Sequence, residues 1–396
     1  MDARENEILT RVGPGTPAGE TLRKYWLPVG FSQQIESDAP RLVRWLCEDL
    51  ILFRDEFGRL GLIDPVCAHR GSSLEYGWIE AGGLRCCYHG WVYDVNGRCI
   101  EQPGEPPDSN FKDKIQIKAY PVRELGGMIW AYMGAGAPPE LPHYHFLARD
   151  DGERNHSRYV RECNYMQQLE NALDPVHATI LHGRAIHGAP AAPEWMETPN
   201  FDVTLTETMA FYVARRKGPQ SGTEWHREVA YVPPVMVVHH GGSLPGDPEP
   251  AMVDIAWRMP IDDFSTQTFT LRFYPSINGQ PWPKEQRERP GKPPPLMRGT
   301  RKPYDMATIN GQDTAAQVSQ GAIVDRTREH LGHSDRGVIQ VRKLWKNAIE
   351  ACLRGEDPPN LIRDPAQNRL VHVDVVEKLV QQGELTDHVP RIIYLS

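Results

Sequence analysis

Long hydrophobic runs are absent from this chain of 396 residues. A membrane-spanning helix needs about 20 consecutive apolar residues, and no run approaches that length. The opening residues 1–7 also lack the apolar stretch of a secretory signal. The 44 Lys and Arg are outnumbered by 52 Asp and Glu, and the net charge of -8 argues against nucleic acid or an anionic membrane as a partner. We therefore expect a cytoplasmic globular protein.

Cysteine is also sparse, with seven in the chain. Five of the seven are scattered singly, which indicates buried free thiols in a reducing compartment: Cys47, Cys87, Cys99, Cys163 and Cys352. The other two each stand close to a histidine. Cys67 and His69 form C-x-H, and Cys86 and His89 form C-x-x-H after sixteen intervening residues. Two cysteines and two histidines on two short arms can close around one metal centre.

The mixed composition of each arm bears on the kind of metal centre. Zinc arms usually carry like ligands, as C-x-x-C or H-x-x-x-H, although a zinc-stapled hairpin without redox function is the simpler alternative. One Cys and one His on each arm suit a [2Fe-2S] cluster of the Rieske type, in which two thiolates hold one iron and two imidazoles hold the other. The predicted cluster ligands are Cys67, His69, Cys86 and His89.

The residues around these ligands match a known pattern. The letters C-A-H-R-G at 67–71 and C-C-Y-H-G-W at 86–91 resemble the Rieske signature of the non-haem iron aromatic-ring oxygenases, usually written C-P-H-R-G and C-P-Y-H-G-W. Ala68 and Cys87 stand where prolines are common. Cys87 fails the C-x-x-H register, so we do not predict it to be a ligand. The resemblance implies an oxygenase that contains a Rieske cluster.

A second motif lies further along the chain. Asp174, His177 and His182 form D-x-x-H-x-x-x-x-H in 165–182, a segment of helical composition. The histidines are five residues apart, not the four that place side chains on one face of an α-helix, and Pro175 or a local π-bulge would supply the difference. Two imidazoles and a carboxylate form the facial triad that leaves positions open on Fe(II). Alone, the pair indicates two structural histidines, but with the first motif it resembles the second signature of the same family.

The resemblance implies that the third iron ligand comes from a late helix. The step Gln312-Asp313 is followed at 319–332 by S-Q-G-x-I-x-D-R-T-x-E-H-L-G, which is similar to the phthalate 4,5-dioxygenase group and its dehydrodivanillate O-demethylase-like relatives. Asp313 is the predicted ligand. Asp325 and Asp305 are the alternatives, and Asp325 is also a candidate salt-bridge partner for neighbouring arginines.

Asp174 has several candidate roles. It lies three residues before His177, where its carboxylate can accept a hydrogen bond from the imidazole or simply cap the helix. The resemblance implies a further role, in which this Asp bridges a histidine of the mononuclear site to a Rieske histidine of the neighbouring chain. Such a bridge carries electrons between subunits and implies a homotrimer.

The strand and helix patterns, taken with the resemblance, predict an α+β fold. An N-terminal segment, 1–39, is expected to pack on the catalytic domain. Short strands separated by glycine turns within 40–140 indicate a small all-β Rieske domain. Period-two alternation over 200–275 indicates an antiparallel sheet. The apolar spacing after Ser334 predicts a long helix with its N-cap at that residue. The resemblance implies that the sheet wraps a long helix in a helix-grip catalytic domain over 141–396.

The chain also lacks motifs for a second redox cofactor, and this bears on the source of its electrons. The chain contains no second cysteine cluster and no flavin or nicotinamide fingerprint, so a separate NAD(P)H-dependent reductase must supply them, with or without a ferredoxin. The resemblance implies an oxygenase component that uses O2 to hydroxylate or O-demethylate an aromatic acid, or to cis-dihydroxylate a phthalate-like ring. A Rieske electron carrier is the alternative of another class, but it would leave the second motif unused. The candidates for holding a substrate carboxylate are Arg215, Arg216, Arg227, Arg258 and Arg272.

Overall fold

The structure, a computed structural model, describes residues 1–35, 39–183, 197–240, 252–276, 279–282, 297–298, 304–306, 308–384 and 388–395. The chain divides into two compact units, a large unit of Met1–Arg11 with Glu140–Ser396 and a small unit of Val12–Pro139. Both contain antiparallel sheets, and the longer helices belong to the large unit. The predicted α+β class is confirmed. In the part of the chain that the structure describes, no helix is long and apolar enough to cross a membrane.

The small unit is built from short antiparallel strands. Helix α1 (Ala3–Thr10) belongs to the large unit, and α2 (Pro17–Arg23) opens the small one. The strands that follow are β1 (Trp26–Phe31), β2 (Arg41–Trp45), β3 (Glu48–Arg54), β4 (Leu60–Ile63), β5 (Trp78–Glu80), β6 (Gly83–Arg85), β7 (Val92–Tyr93), β8 (Cys99–Glu101), β9 (Ala119–Tyr120), β10 (Val122–Leu125) and β11 (Met128–Tyr132). Their sheets have the orders β1-β11-β10, β2-β3-β4-β9 and β5-β6-β7-β8.

The N-terminal boundary of the small unit differs from the expected one. Every residue of β1 is buried, and β1 pairs with β11, so this strand is an integral part of the unit. Arg23, at the end of α2, donates to the carbonyl of Val12 and to the carboxylate of Glu48. Of the expected N-terminal segment, Met1–Arg11 clusters with the large unit. An all-apolar strand carries no pattern that tells which sheet it joins.

An antiparallel sheet is the centre of the large unit. Its strands are β12 (Gly152–Arg161), β13 (Asn200–Leu205), β14 (Ala210–Lys217), β15 (Thr223–Val232), β16 (Met236–His240), β17 (Val253–Pro260) and β18 (Thr266–Pro275). Shorter strands follow as β19 (Met297–Arg298), β20 (Tyr304–Asp305), β21 (Leu370–Asp374), β22 (Glu377–Gln381) and β23 (Arg391–Leu395). The sheet order is β12-β18-β17-β16-β15-β14-β13, and β22 pairs with the first half of β15.

Several helices belong to the same unit as this sheet. They are α3 (His145–Ala148), α4 (Tyr165–Ala172), α5 (Pro175–His177), a π-helix (Ala178–His182), α6 (Ile309–Ser319) and α7 (Arg336–Leu353). The 3-10 turns of the described chain are Ser32–Gln34, Leu74–Tyr76, Phe111–Lys114, Arg326–Arg328, His333–Asp335 and Pro365–Gln367. Helix α4 packs against β15 and β17, and α7 against β13 and β14. A sheet gripped by helices in this way fits the expected helix-grip arrangement.

The long helix α7 begins one residue later than predicted. Its N-cap is Asp335, not Ser334, because the carboxylate of Asp335 accepts a hydrogen bond from the N–H of Gly332 and closes a turn before the helix. The apolar face is as predicted, with Val341 and Trp345 fully buried.

A buried ion network anchors α4. Glu170 accepts two hydrogen bonds of 2.9 Å from Arg326 and one of 2.7 Å from Arg342 on α7. Arg326 also donates to Asn6 of α1. Buried charges are tolerated only where opposite charges and hydrogen bonds surround them. The network therefore holds α4, which leads into the second motif, against α1 and α7.

Candidate metal centres

Two similar loops of the small unit carry the first motif. The N–H of Gly71 donates to the carbonyl of Cys67 at 2.9 Å, and the N–H of Gly90 donates to the carbonyl of Cys86 at 3.0 Å. Both glycines have positive φ, 77° and 74°, a conformation that glycine adopts without steric cost. The two ligand arms are copies of one tight turn, and each turn depends on the glycine of its motif.

These loops place thiols inside the unit and imidazoles outside it. Cys67 and Cys86 are each 2% exposed, whereas His69 and His89 are exposed. The two imidazole centroids lie 4.5 Å apart, and His69 stacks on the ring of Trp91 at 4.6 Å. Two inner sulfurs and two outer nitrogens match the donor set of a Rieske cluster.

The surroundings of Cys67 test whether such a cluster fits. The N–H of Ala68 donates to the hydroxyl oxygen of Tyr93, so the phenol hydrogen is available for the sulfur of Cys67, 3.3 Å away. Burial raises the pKa of the Cys67 thiol, so a thiolate here needs positive charge next to it, as iron would provide. Cys87, which the register excludes as a ligand, is exposed.

The second motif lies where a helix restarts after a break. Asp174 is the N-cap, and its Oδ1 accepts from the N–H groups of Val176 and His177 at 2.8 and 3.3 Å. Pro175 occupies the first helical position, where its missing N–H costs nothing. The chain then continues as the π-helix Ala178–His182, so the π-type turn considered from the five-residue spacing is present. The wider turn allows both histidines to face one point.

The imidazole of His177 is oriented by backbone and not by carboxylate. Its Nδ1 donates to the main-chain carbonyl of Asp174 at 2.5 Å, while Oδ2 of the same residue lies 3.8 Å away. The carboxylate of Asp174 thus caps the helix in the single chain. Since Nδ1 carries the hydrogen, Nε2 of His177 presents a lone pair.

Asp313 on α6 completes the group. One ligand atom from each of His177, His182 and Asp313 lies within 4.8 Å of the other two. Oδ1 of Asp313 is 3.3 Å from Nε2 of His182 and 3.8 Å from Nε2 of His177. Of the alternatives, Asp325 is exposed and accepts from Thr327, and the side chain of Asp305 lies outside the described residues. The structure therefore brings together the predicted triad.

Gln312, which sequence reasoning did not single out, shows that the triad fits a cation. Its Nε2 donates to the carbonyl of Met306, so its Oε1 must accept from Nδ1 of His182, at 2.7 Å. Neutral His182 then has a lone pair on Nε2 facing Oδ1 of Asp313, and that oxygen is buried without a hydrogen bond from any described residue. Two electron-rich atoms at this separation need a cation between them, and the donor set is that of a non-haem Fe(II) site.

The pKa shifts within the triad also favour an ionised carboxylate beside the two imidazoles. Burial would raise the pKa of Asp313, but the neighbouring His182 and the charge of Arg161 lower it overall. Burial opposes protonation of His182, yet Asp313 raises the pKa of this imidazole. The pKa of His177 is lowered, chiefly by burial. An ionised carboxylate beside two imidazoles, one of them held neutral by burial, is the state that binds a metal.

One face of the sheet brings further polar groups together. Residues paired across antiparallel strands share a face, as do residues two apart. Arg227 is two residues from Val229, which pairs with His239, and His239 pairs with Asp254. Arg258 lies four residues beyond Asp254 on β17. The side chains of Arg227, His239 and Arg258 therefore lie on one face.

This face points towards the triad. Arg258 pairs with Thr268, whose hydroxyl donates to Gln168 on α4. Burial lowers the pKa of His239 well below its usual range, and the charges of Arg227, Arg258, His177 and Asp313 act on it too. Sequence reasoning missed His239, since its only signal was a position at the end of a predicted strand.

The five candidate arginines differ in the partners of their side-chain nitrogens. Three are engaged by neighbouring groups, in the contacts Arg215–Asp202 (2.6 Å), Arg272–Asp254 (2.9 Å) and Arg216–carbonyl of Pro175 (3.0 Å). Arg258 donates through Nη1 to Tyr159 and Thr268, but among the described residues its Nε, Nε of Arg227 and Nδ1 of His239 are buried with no hydrogen-bond partner. Nε of each arginine is a donor, and it requires an acceptor that the described chain does not supply.

Comparisons with known proteins agree with this geometry. Residues 25–121 match the Rieske [2Fe-2S] domain. The chain is 35% identical to the 5,5'-dehydrodivanillate O-demethylase oxygenase subunit of Sphingobium sp. (strain NBRC 103272 / SYK-6), over 98% of this chain and 90% of the relative. The chain belongs to the Rieske non-haem iron oxygenases. The resemblance stated from the sequence is thereby confirmed.

Two further comparisons concern another relative and a solved structure. The chain is also 35% identical to the tert-butanol monooxygenase / tert-amyl alcohol desaturase oxygenase subunit of Aquincola tertiaricarbonis, over 91% of this chain and 79% of the relative. The crystal structure of dicamba monooxygenase bound to dicamba matches with a TM-score of 0.65 at 17% identity, over 85% of this chain and 99% of the other. That likeness concerns the fold. As a Rieske oxygenase, the chain has a [2Fe-2S] cluster and a mononuclear iron as its cofactors.

Changing Gln312 to leucine tests the fit of this oxygenase's triad. Gln312→Leu removes the acceptor for Nδ1 of His182, so the imidazole loses its fixed orientation. We expect Fe(II) affinity to fall about 10- to 100-fold, as is usual when such a supporting group is lost, measured by anaerobic dialysis against a chelator. Gln312→Glu keeps an acceptor and should retain most of the affinity. A leucine variant that binds iron like the parent would contradict the role of Gln312.

Proposed function

We propose that this chain is the terminal oxygenase component of a multicomponent Rieske system and that it oxidises an aromatic acid, with O-demethylation as the favoured reaction. The proposed cluster ligands are Cys67, His69, Cys86 and His89, and the proposed iron ligands are His177, His182 and Asp313. The small unit serves as the Rieske domain and the large unit as the catalytic domain. A separate NAD(P)H-dependent reductase, with or without a ferredoxin, supplies the electrons. The observation that carries the proposal is the group of buried, unpartnered nitrogen donors near the triad.

The chain's own residues prepare the triad for a metal. When bound, the two metal groups supply electrons and activate O2. The carbonyl of Asp174 takes the Nδ1 hydrogen of His177, and the amide of Gln312 takes that of His182. Both Nε2 atoms therefore keep lone pairs towards Oδ1 of Asp313. These hydrogen bonds remove the need to reorganise protons when the site is filled.

Similarity alone does not choose the substrate. At the same 35% identity, one relative is named for demethylating 5,5'-dehydrodivanillate and the other for tert-butanol, an uncharged alcohol. The buried arginines of this chain favour an acidic substrate. A buried guanidinium without a carboxylate is costly, and among the described residues no carboxylate lies within 4.0 Å of Arg258. The carboxylate of the nearest acid to Arg227, Glu377, lies at 3.8 Å.

A substrate carboxylate would satisfy these donors. Arg258 uses Nη1 for the hydroxyls of Tyr159 and Thr268, which leaves its Nε for another acceptor. Arg227 acts on the electrostatics of His182, so an acid held by Arg227 and Arg258 would lie close to the triad. Guanidinium groups bind carboxylates with charge-assisted hydrogen bonds. The ring of an aromatic acid would then extend towards the iron ligands.

O-demethylation of a methoxylated aromatic acid would consume O2, two electrons and two protons. The carbon–oxygen bond of the methoxy group would break, and the products would be the phenol, formaldehyde and water. Ring cis-dihydroxylation of a phthalate-like acid would instead place both oxygen atoms on the ring. Product analysis distinguishes the two, since only the first releases formaldehyde and only the second gives a cis-dihydrodiol.

The iron content of His177→Ala tests the proposed function. The parent protein should contain three irons, two in the cluster and one in the mononuclear site, with two acid-labile sulfides. The variant should lose the mononuclear iron and all oxygenation while its cluster spectrum stays intact. Metal analysis, visible absorption and product assay on the same samples are the measurements. Loss of the cluster spectrum in this variant would refute the assignment of His177.

Substitution of Arg258 tests recognition of the acid. Arg258→Met should lower kcat/KM for methoxylated aromatic acids by roughly 10- to 100-fold, which corresponds to one hydrogen bond between charged groups. Turnover of the matching methyl esters should change much less. Arg215→Met is the control, because Arg215 is already paired with Asp202. Equal losses for acid and ester would show that Arg258 does not bind the carboxylate.

We further propose a cytoplasmic homotrimer in which Asp174 carries electrons between subunits. The carboxylate is partly exposed, at 26%, and its hydrogen bonds within the described chain use Oδ1. Its Oδ2 is available to accept from a Rieske histidine of a neighbouring subunit. His69 and His89 are exposed on their own unit and could donate such a bond.

The variant Asp174→Asn isolates this bridge from the cap. Asparagine is as good an N-cap as aspartate, so the helix and both metal groups should remain. Loss of the charged acceptor should lower product formation by about 10- to 100-fold, the rate equivalent of one charge-assisted hydrogen bond. Chemical reduction of the cluster should proceed as before, and single-turnover assays would follow the later step. Near-normal turnover, or a fully active monomer, would contradict the bridge.

A further inference from the structure

Arg161 is the last residue of β12, and its side chain contacts α6, the helix that carries Asp313. Its side chain is 2% exposed. The guanidinium donates to Asn310, Thr314 and Gln317 at 2.8, 3.0 and 2.7 Å. These residues are spaced by four and three along α6, so they occupy one face of the helix. Asp313 lies beside them on the same face, and one arginine therefore fixes two turns of the helix around it.

The charge of Arg161 faces the carboxylate of Asp313. Its hydrogen-bond partners on α6 are neutral, and the ring of Tyr159 lies on its guanidinium at 4.7 Å. Among the described residues, the carboxylate oxygen within 4.0 Å is Oδ2 of Asp313, at 3.8 Å. Oδ1 of Asp313 faces the Nε2 atoms of both histidines instead. The two oxygens of one carboxylate thus face different neighbours.

We propose that Arg161 is a positioning residue that restricts Asp313 to binding iron through Oδ1 alone. The inference rests on the proposed role of Asp313 as an iron ligand. Turning Oδ2 towards the metal would take it away from Arg161 and would leave a buried guanidinium without its carboxylate, which is unfavourable. A carboxylate that binds through one oxygen leaves more positions open on the iron for O2 and substrate.

A crystal structure of the iron-loaded parent protein tests the geometry directly. We expect Oδ1 of Asp313 on the iron and Oδ2 on the side of Arg161. Two oxygens at equal distance from the iron would overturn the inference while leaving the ligand assignment intact. Iron bound elsewhere, or not at all, would instead refute the proposed function of the triad.

Two variants test the role of Arg161 in solution. Arg161→Met removes the charge and all contacts with α6, whereas Gln317→Leu removes one neutral hydrogen bond and keeps the charge opposite Oδ2. We expect the first to weaken Fe(II) binding about 10- to 100-fold and to change the electron paramagnetic resonance of the nitric oxide complex. The second should keep the parent spectrum. A helix that merely lost stability would release iron without changing the spectrum of the complex that remains.

The outcomes can be told apart. An unchanged spectrum and affinity in Arg161→Met would overturn the inference, as would a change of equal size in Gln317→Leu. Circular dichroism checks that each variant is folded. If Arg161→Met does not fold, Arg161→Lys replaces it, since lysine keeps a charge but cannot form the planar fork, and the crystal structure of the parent decides independently.

Discussion

Two histidines five residues apart can face one point only if their helix departs from the regular α-helical hydrogen-bond pattern. That constraint governs the middle of the large unit. The chain breaks after α4, restarts with Asp174 as cap and Pro175 in the first position, and widens into a π-helix that ends at His182. A wide turn is less stable than a regular one, so its ends must be held. The ion network of Glu170 holds the helix before it.

The opposite wall of the site is built by strand register. Pairing across β15, β16 and β17 places Arg227, His239 and Arg258 on one face, and β12 adds Arg161 at its end. The same charged surface thus serves two purposes. Arg161 holds the helix that carries Asp313, while Arg227 and Arg258 have donors that would serve the proposed acid substrate. One sheet thus contributes to both the proposed metal site and the proposed substrate site.

How far the sequence predicted this site depends on how local each signal is. The predicted cluster ligands follow from short spacings, whereas the two histidines became candidates only together with the first motif. A π-type turn was one of two explanations for their separation of five residues, the other being Pro175. Asp313 has no local pattern and was predicted only through a family resemblance. Gln312, Arg161 and His239 acquire their roles from contacts between distant strands and helices, which no window of sequence contains. The strands β21 to β23 were also not predicted. β22 pairs with the distant β15, and β21 pairs with β23.

The triad also has a consequence for folding. His182 and Gln312 are 130 residues apart in the chain, and Asp313 follows immediately. Bringing such distant segments together costs chain entropy that local contacts do not repay, so the three proposed ligands meet only after the sheet and α6 have assembled. An ion bound by all three would then act as a cross-link between distant segments of the large unit. Loss of iron should accordingly loosen the fold as well as stop the chemistry, and iron uptake can serve as a signal that folding is complete.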